Sequence, residues 1–101
     1  MTVLEATRII LDSIENVNAG RPAAQQIQPA AETILFGPGG TLDSLGLVEL
    51  IVTIEERANK AFGVSVSLAS DQALSKARSP FHSVLTLSEF LSRLTQVGNA
   101  Q

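Results

Sequence analysis

The chain has 101 residues, room for one domain with one modest core. Hydrophobic residues make up 45 %, which favours a folded domain over a disordered segment. The absence of cysteine excludes disulfides, iron–sulfur clusters and a cysteine nucleophile, and a net charge of −3 with no Trp or Tyr argues against nucleic-acid binding.

Thr2-x-x-Glu5 fits a capping box, in which each side chain satisfies a backbone N–H of the first helical turn. Val3, Leu4, Ile10, Leu11, Ile14 and Val17 are expected to form an inner side, with Glu5, Arg8, Asp12 and Glu15 outside. A helix is therefore predicted over 3–17, stopped by Gly20 and Pro22. The same charges leave no apolar signal-peptide core, and no apolar stretch is long enough to span a bilayer. A cytoplasmic monomer without membrane insertion is the expectation.

Residues 18–42 form a long connection punctuated by Gly20-Arg21-Pro22, Pro29 and Gly37-Pro38-Gly39-Gly40, with Ile34, Leu35 and Phe36 as the expected pin. The glycine run is not a phosphate loop, because Thr41-Leu42 follows where Lys and Ser/Thr are required. A second helix begins at Asp43 or Ser44, buries Leu47, Leu50, Ile51, Ile54, Ala58, Ala61 and Phe62, and stops at Gly63. Val64–Leu68 alternates but has no partner strand, so it reads as an extended link. A short helix is predicted at 71–77, with Ser70 as its cap and Ser79-Pro80 as its end. Thr86-x-x-Glu89 predicts the cap of a last helix carrying Leu87, Phe90, Leu91 and Leu94. The expected architecture is all-α: three long helices and one short one in residues 1–97, with a long loop after the first and a frayed tail at 98–101.

One side of the second helix is not explained by a core. Leu45, Glu49, Val52 and Glu56 fall within about 60° of one another, opposite Leu50 and Ile54, with Val48 at the border. Apolar side chains interleaved with carboxylates beside a helix start suit a shallow docking surface. The competing reading is burial of Leu45 and Val52 under the 18–42 loop or the short helix.

Ser44 by itself reads as a helix cap. A hydrolase pairing Ser44 with His82, the lone histidine, would need the two side chains in hydrogen-bond contact. Glu55 and Glu56 are adjacent and point about 100° apart on a helix, so they form no catalytic pair and read as solvated charges.

The segment Leu42–Val64 resembles the recognition-helix region of acyl carrier proteins, through Asp43-Ser44-Leu45, Val48-Glu49-Leu50 and Ile54-Glu55-Glu56. The order of elements along the rest of the chain is similar more loosely. The resemblance implies that Ser44 receives a 4′-phosphopantetheine group from coenzyme A, transferred by a separate magnesium-dependent phosphopantetheinyl transferase. It implies that Asp43 helps present the serine, and that Leu45, Val48, Glu49, Val52 and Glu56 meet the enzymes that load and transfer acyl or aminoacyl groups. The carrier itself would catalyse nothing. Gly46 and Arg57 stand where housekeeping fatty-acid carriers have acids, the net charge is mild, and Lys76–Val84 with His82 looks like an insertion. These departures point to a dedicated carrier of a specialised pathway. The rival expectation is an unmodified helical interaction module that keeps the carrier fold as a scaffold; burial of Ser44 would favour it.

Overall fold

The capping box forms as its spacing dictates. Thr2 Oγ1 accepts the Glu5 N–H at 3.1 Å, and Glu5 Oε1 accepts the Thr2 N–H at 2.8 Å. In the computed structural model, which describes residues 1–37, 39–68 and 80–99, this box opens helix α1 (Val3–Asn18). Its inner side is Ala6, Ile9, Ile10, Ser13, Ile14 and Val17. Val3 and Leu4, expected inside, are 41 % and 80 % exposed; Leu4 lies about 120° round the helix from Ile10. Ser13 tolerates the core by donating its hydroxyl to the Ile9 carbonyl at 2.8 Å.

The 18–42 connection is tied down along its length. After a short 3₁₀ turn, Ala23–Gln25, Ile27 is buried in the core. Residues 31–36 then run beside 82–85. The Leu35 N–H donates to the His82 carbonyl at 2.7 Å, the Val84 N–H to Thr33 at 3.1 Å and the Leu85 N–H to Ala31 at 3.0 Å. The Gly40 N–H donates to the Gly37 carbonyl at 2.8 Å, and the Leu42 N–H donates to the Leu35 carbonyl at 2.9 Å. The pin differs from the expected one. Leu35 is buried with Ile27 and Leu42, while Ile34 is exposed and Phe36 only partly covered.

Helix α2 (Ser44–Phe62) begins at an Asp43 cap and ends at Gly63, whose φ of 67° is the left-handed conformation that favours glycine. Leu47, Leu50, Ile51, Ile54 and Ala58 are buried. Ala61 and Phe62, expected inside, are exposed, so the last turn projects past the packed core. The link after it is held to α2 rather than to a strand. Glu55 Oε2 accepts the Leu68 N–H at 2.8 Å, and Asn59 Nδ2 donates to the Val64 carbonyl at 3.3 Å. Glu55 is therefore a tether, not a solvated charge.

The last helix, α3 (Val84–Asn99), starts before the predicted box. Ser83 Oγ accepts the Thr86 N–H at 3.2 Å, and Thr86 Oγ1 accepts the Ser83 N–H at 3.0 Å. Thr86 thus takes the reciprocal place expected of Glu89. Phe81, just upstream, is fully buried and meets Phe90 edge to face at 6.3 Å. Helix α1 packs against both α2 and α3, so the core lies along its inner side.

Among the described residues the fold is three α-helices with two isolated bridges and no strand, and no buried side-chain nitrogen or oxygen lacks a partner. No helix is long and apolar enough to cross a membrane among them. The short helix predicted at 71–77, and residues 76–79 of the apparent insertion, lie outside the described residues.

Candidate functional site at the start of the second helix

The first turn of α2 divides two tasks between neighbouring residues. Asp43 is the cap: its Oδ1 accepts the Gly46 N–H at 2.8 Å. That leaves Ser44 free of the role a serine at a helix start ordinarily plays. Ser44 is the first helical residue, it is exposed, and its hydroxyl makes no hydrogen bond among the described residues. The backbone N–H groups that α2 leaves unpaired in its first turn, and its dipole, favour negative charge there.

The outer side of α2 continues from that point. Leu45 is 78 % exposed, Val48 54 % and Val52 47 %. Glu49 and Glu56 are exposed between and beyond them. The structure thus leaves Leu45, Val48, Glu49, Val52 and Glu56 exposed along one side of α2, with the exposed Ser44 at its start and the exposed Asp43 just before it. The competing expectation was burial of Leu45 and Val52 under the loop or the short helix; both side chains are exposed, and the short helix lies outside the described residues.

A residue that sequence reasoning passed over lies at the edge of this surface. Arg21, from the turn after α1, reaches across to Gly46. A Cβ on Gly46 would sit 2.5 Å from Arg21 Nη2, 3.0 Å from Leu42 Cδ2 and 3.2 Å from Asp43 Oδ1. The other end of the guanidinium is anchored, with Nη1 donating to the Gln25 carbonyl at 3.2 Å. The available signal was Gly46 itself. An isolated glycine in an otherwise regular helix costs about 1 kcal/mol relative to alanine and asks for a packing reason.

His82 does not join Ser44. Its carbonyl serves the loop as acceptor for Leu35, its exposed ring lies 4.0 Å from where a Cβ on Gly37 would be, and no hydrogen bond links it to the serine. The nucleophile–base pair a serine hydrolase needs is therefore not assembled. Among the described residues no group of three His, Asp or Glu could hold a metal ion. A cleft of about 680 Å³ opens along the second half of α2, between Asn16 of α1 and Ser65-Val66 of the link, with Val52 and Glu56 on its wall. It begins about two helical turns beyond Ser44. Compared with known proteins, the chain matches no family model, no curated protein and no solved structure.

Proposed function

We propose that the chain is a cytoplasmic, monomeric acyl or aminoacyl carrier protein, modified on Ser44 with 4′-phosphopantetheine and serving a specialised pathway such as polyketide-like, nonribosomal or lipid-modifying acylation. The observation that carries the reading is the division of labour at α2: Asp43 takes the cap and leaves an exposed, uncommitted Ser44 hydroxyl beside an exposed apolar and acidic surface. It also weighs against the unmodified interaction module, for which a buried serine was the expected mark.

The residues present fit the group. In the modification Ser44 Oγ bonds to phosphorus, the pyrophosphate bond of coenzyme A breaks, 3′,5′-adenosine bisphosphate leaves, and the serine proton passes to the transferase. Ser44 needs no lowered pKa of its own, only access. The α2 N-terminus favours the phosphodiester charge next to it. Asp43, fixed by its bond to the Gly46 N–H, keeps its second carboxylate oxygen for the transferase and its magnesium. When bound, the arm supplies a thiol that holds cargo as a thioester. Leu45, Val48 and Val52 offer shallow apolar contact, while Glu49 and Glu56 steer encounter with basic partner surfaces. Such contact is weak and reversible, and tethering raises the cargo's local concentration at each client enzyme. The chain catalyses nothing itself.

The test is direct. The apo protein is incubated with coenzyme A, magnesium and a broad-specificity phosphopantetheinyl transferase, then weighed intact. A gain of one phosphopantetheinyl group, abolished by Ser44→Ala, is the expected result; no gain under any loading condition overturns the reading.

A further inference from the structure

Gly46 has a φ outside the positive region, so its backbone conformation does not call for glycine. Space does. The position a side chain would fill is occupied by the Arg21 guanidinium, with Leu42 and Asp43 closing the other sides. Arg21 is half-buried and held by its bond to Gln25, so its charge is fixed in place rather than swept around by a free side chain. In effect, the loop residue supplies the side chain of helix position 46.

That charge has a defined place on the docking surface. On a helical projection position 46 lies about 60° from Glu49, at the edge of the Leu45, Glu49, Val52, Glu56 stripe. Arg57 lies about 20° from it and Lys60 about 40°, further along the same flank. The surface therefore has two parts: an acidic and apolar centre and a cationic edge. A uniformly basic partner is attracted by Glu49 and Glu56 and repelled by Arg21, a repulsion that the Asp43 carboxylate at the same notch offsets in part, and salt screens both effects.

We propose that Arg21, seated in the notch left by Gly46, is a specificity-determining residue: cognate partners carry an acidic group opposite it, and uniformly basic partners are disfavoured. The proposal rests on the carrier reading above. Discrimination of this kind works through a repulsive element as much as an attractive one. It also accounts for one departure from the acyl carrier pattern: glycine replaces an acid at 46, and a loop residue delivers a cation to the space.

The experiment uses the full chain and, as probe, a phosphopantetheinyl transferase with a uniformly basic docking surface. KM and kcat for modification of Ser44 are measured at low salt and at high salt. Arg21→Gln is expected to lower KM about threefold or more at low salt with kcat unchanged, the difference fading at high salt. Arg21→Lys, which keeps the charge but not the anchored guanidinium, should fall between wild type and Arg21→Gln. Gly46→Ala, which keeps Arg21 but unseats it, should reproduce part of the fall in KM, and it serves as the deciding variant should Arg21→Gln fail to fold. A KM for Arg21→Gln or Gly46→Ala equal to or above wild type at low salt overturns the proposal. Absence of any modification of wild-type Ser44 is a different result: it removes the carrier reading itself.

Discussion

The side-chain amide of Asn18 grips the backbone of Ile27 from both sides, its Oδ1 accepting the Ile27 N–H and its Nδ2 donating to the Ile27 carbonyl, each at 2.8 Å. The last residue of α1 thereby acts like a length of neighbouring strand. It fixes the point at which the long connection drops its one buried isoleucine into the core.

Asn18→Ala should leave both Ile27 backbone groups without partners in a partly buried setting. The expected cost is about 1–3 kcal/mol, read as a lower denaturant midpoint with an unchanged slope. Asn18→Asp keeps the acceptor and should lose less. Equal stability of Asn18→Ala and wild type would show that the grip contributes nothing.

Two glycines should respond in opposite ways to the same change. A Cβ at Gly40 would meet the Leu35 carbonyl oxygen at 2.7 Å and the Phe36 nitrogen at 2.9 Å, and these are backbone atoms within the turn that returns the loop. Gly40→Ala should therefore cost about 1–3 kcal/mol. At Gly46 the one contact under 3.0 Å is the far end of the Arg21 side chain, which can give way by surrendering its 3.2 Å bond to Gln25, and alanine improves helix propensity by up to about 1 kcal/mol. Gly46→Ala should melt at or slightly above wild type. Thermal denaturation of the two variants side by side is the check.

Docking and stability should separate along α2. Glu49→Lys reverses an exposed charge one turn from Ser44, so it should slow modification by a basic transferase about tenfold while leaving the melting temperature unchanged. Ile54→Ala removes a fully buried side chain and should cost about 2–5 kcal/mol, enough to threaten the fold of so small a domain. A Glu49→Lys protein with wild-type kinetics and a lowered melting point would make Glu49 structural.

Among the described residues, Glu5 has a carboxyl shifted in a way that makes stability depend on pH. Its carboxyl is held below the ordinary glutamate value of 4.5, chiefly by the hydrogen bond from the Thr2 backbone; desolvation opposes this, and the Thr2 side chain and the N-terminal charge assist it. A lowered folded-state pKa means that the unfolded chain binds the proton more readily. The contribution is complete above 4.5 and disappears as pH falls through the lower folded-state value. Glu5→Gln should therefore melt lower than wild type near neutral pH and converge with it in acid. A gap that stays constant with pH would show that the carboxylate charge plays no part.

What could be read from the residues alone was mostly local. The Thr2–Glu5 box and the Gly63 stop depend on groups three or four residues apart, and the outer side of α2 follows from its helical period. What could not be read depends on distant partners. Ile27 stands between Gln26 and Gln28 with no period to mark it, and its burial is arranged by Asn18. Thr86-x-x-Glu89 is the better cap pattern, yet α3 starts at Val84, because the Val84 and Leu85 N–H groups find carbonyl partners in the loop at Thr33 and Ala31. At the site, Ser44 and its neighbours were legible as a surface. Arg21 was not, because only folding brings a residue from the far side of the loop onto Gly46.

The bonds joining Ala31, Thr33 and Leu35 to residues 82–85 bear on how this scaffold can be engineered. The two stretches form a matched pair. A chimera that grafts residues 18–42 into another helical host without residues 80–85 would strand the Leu35 donor. The reverse transplant would strip α3 of the acceptors that cover its first N–H groups. Swapping either stretch alone should give poorly soluble protein, whereas moving both as one cassette should keep the hydrogen bonds that join them.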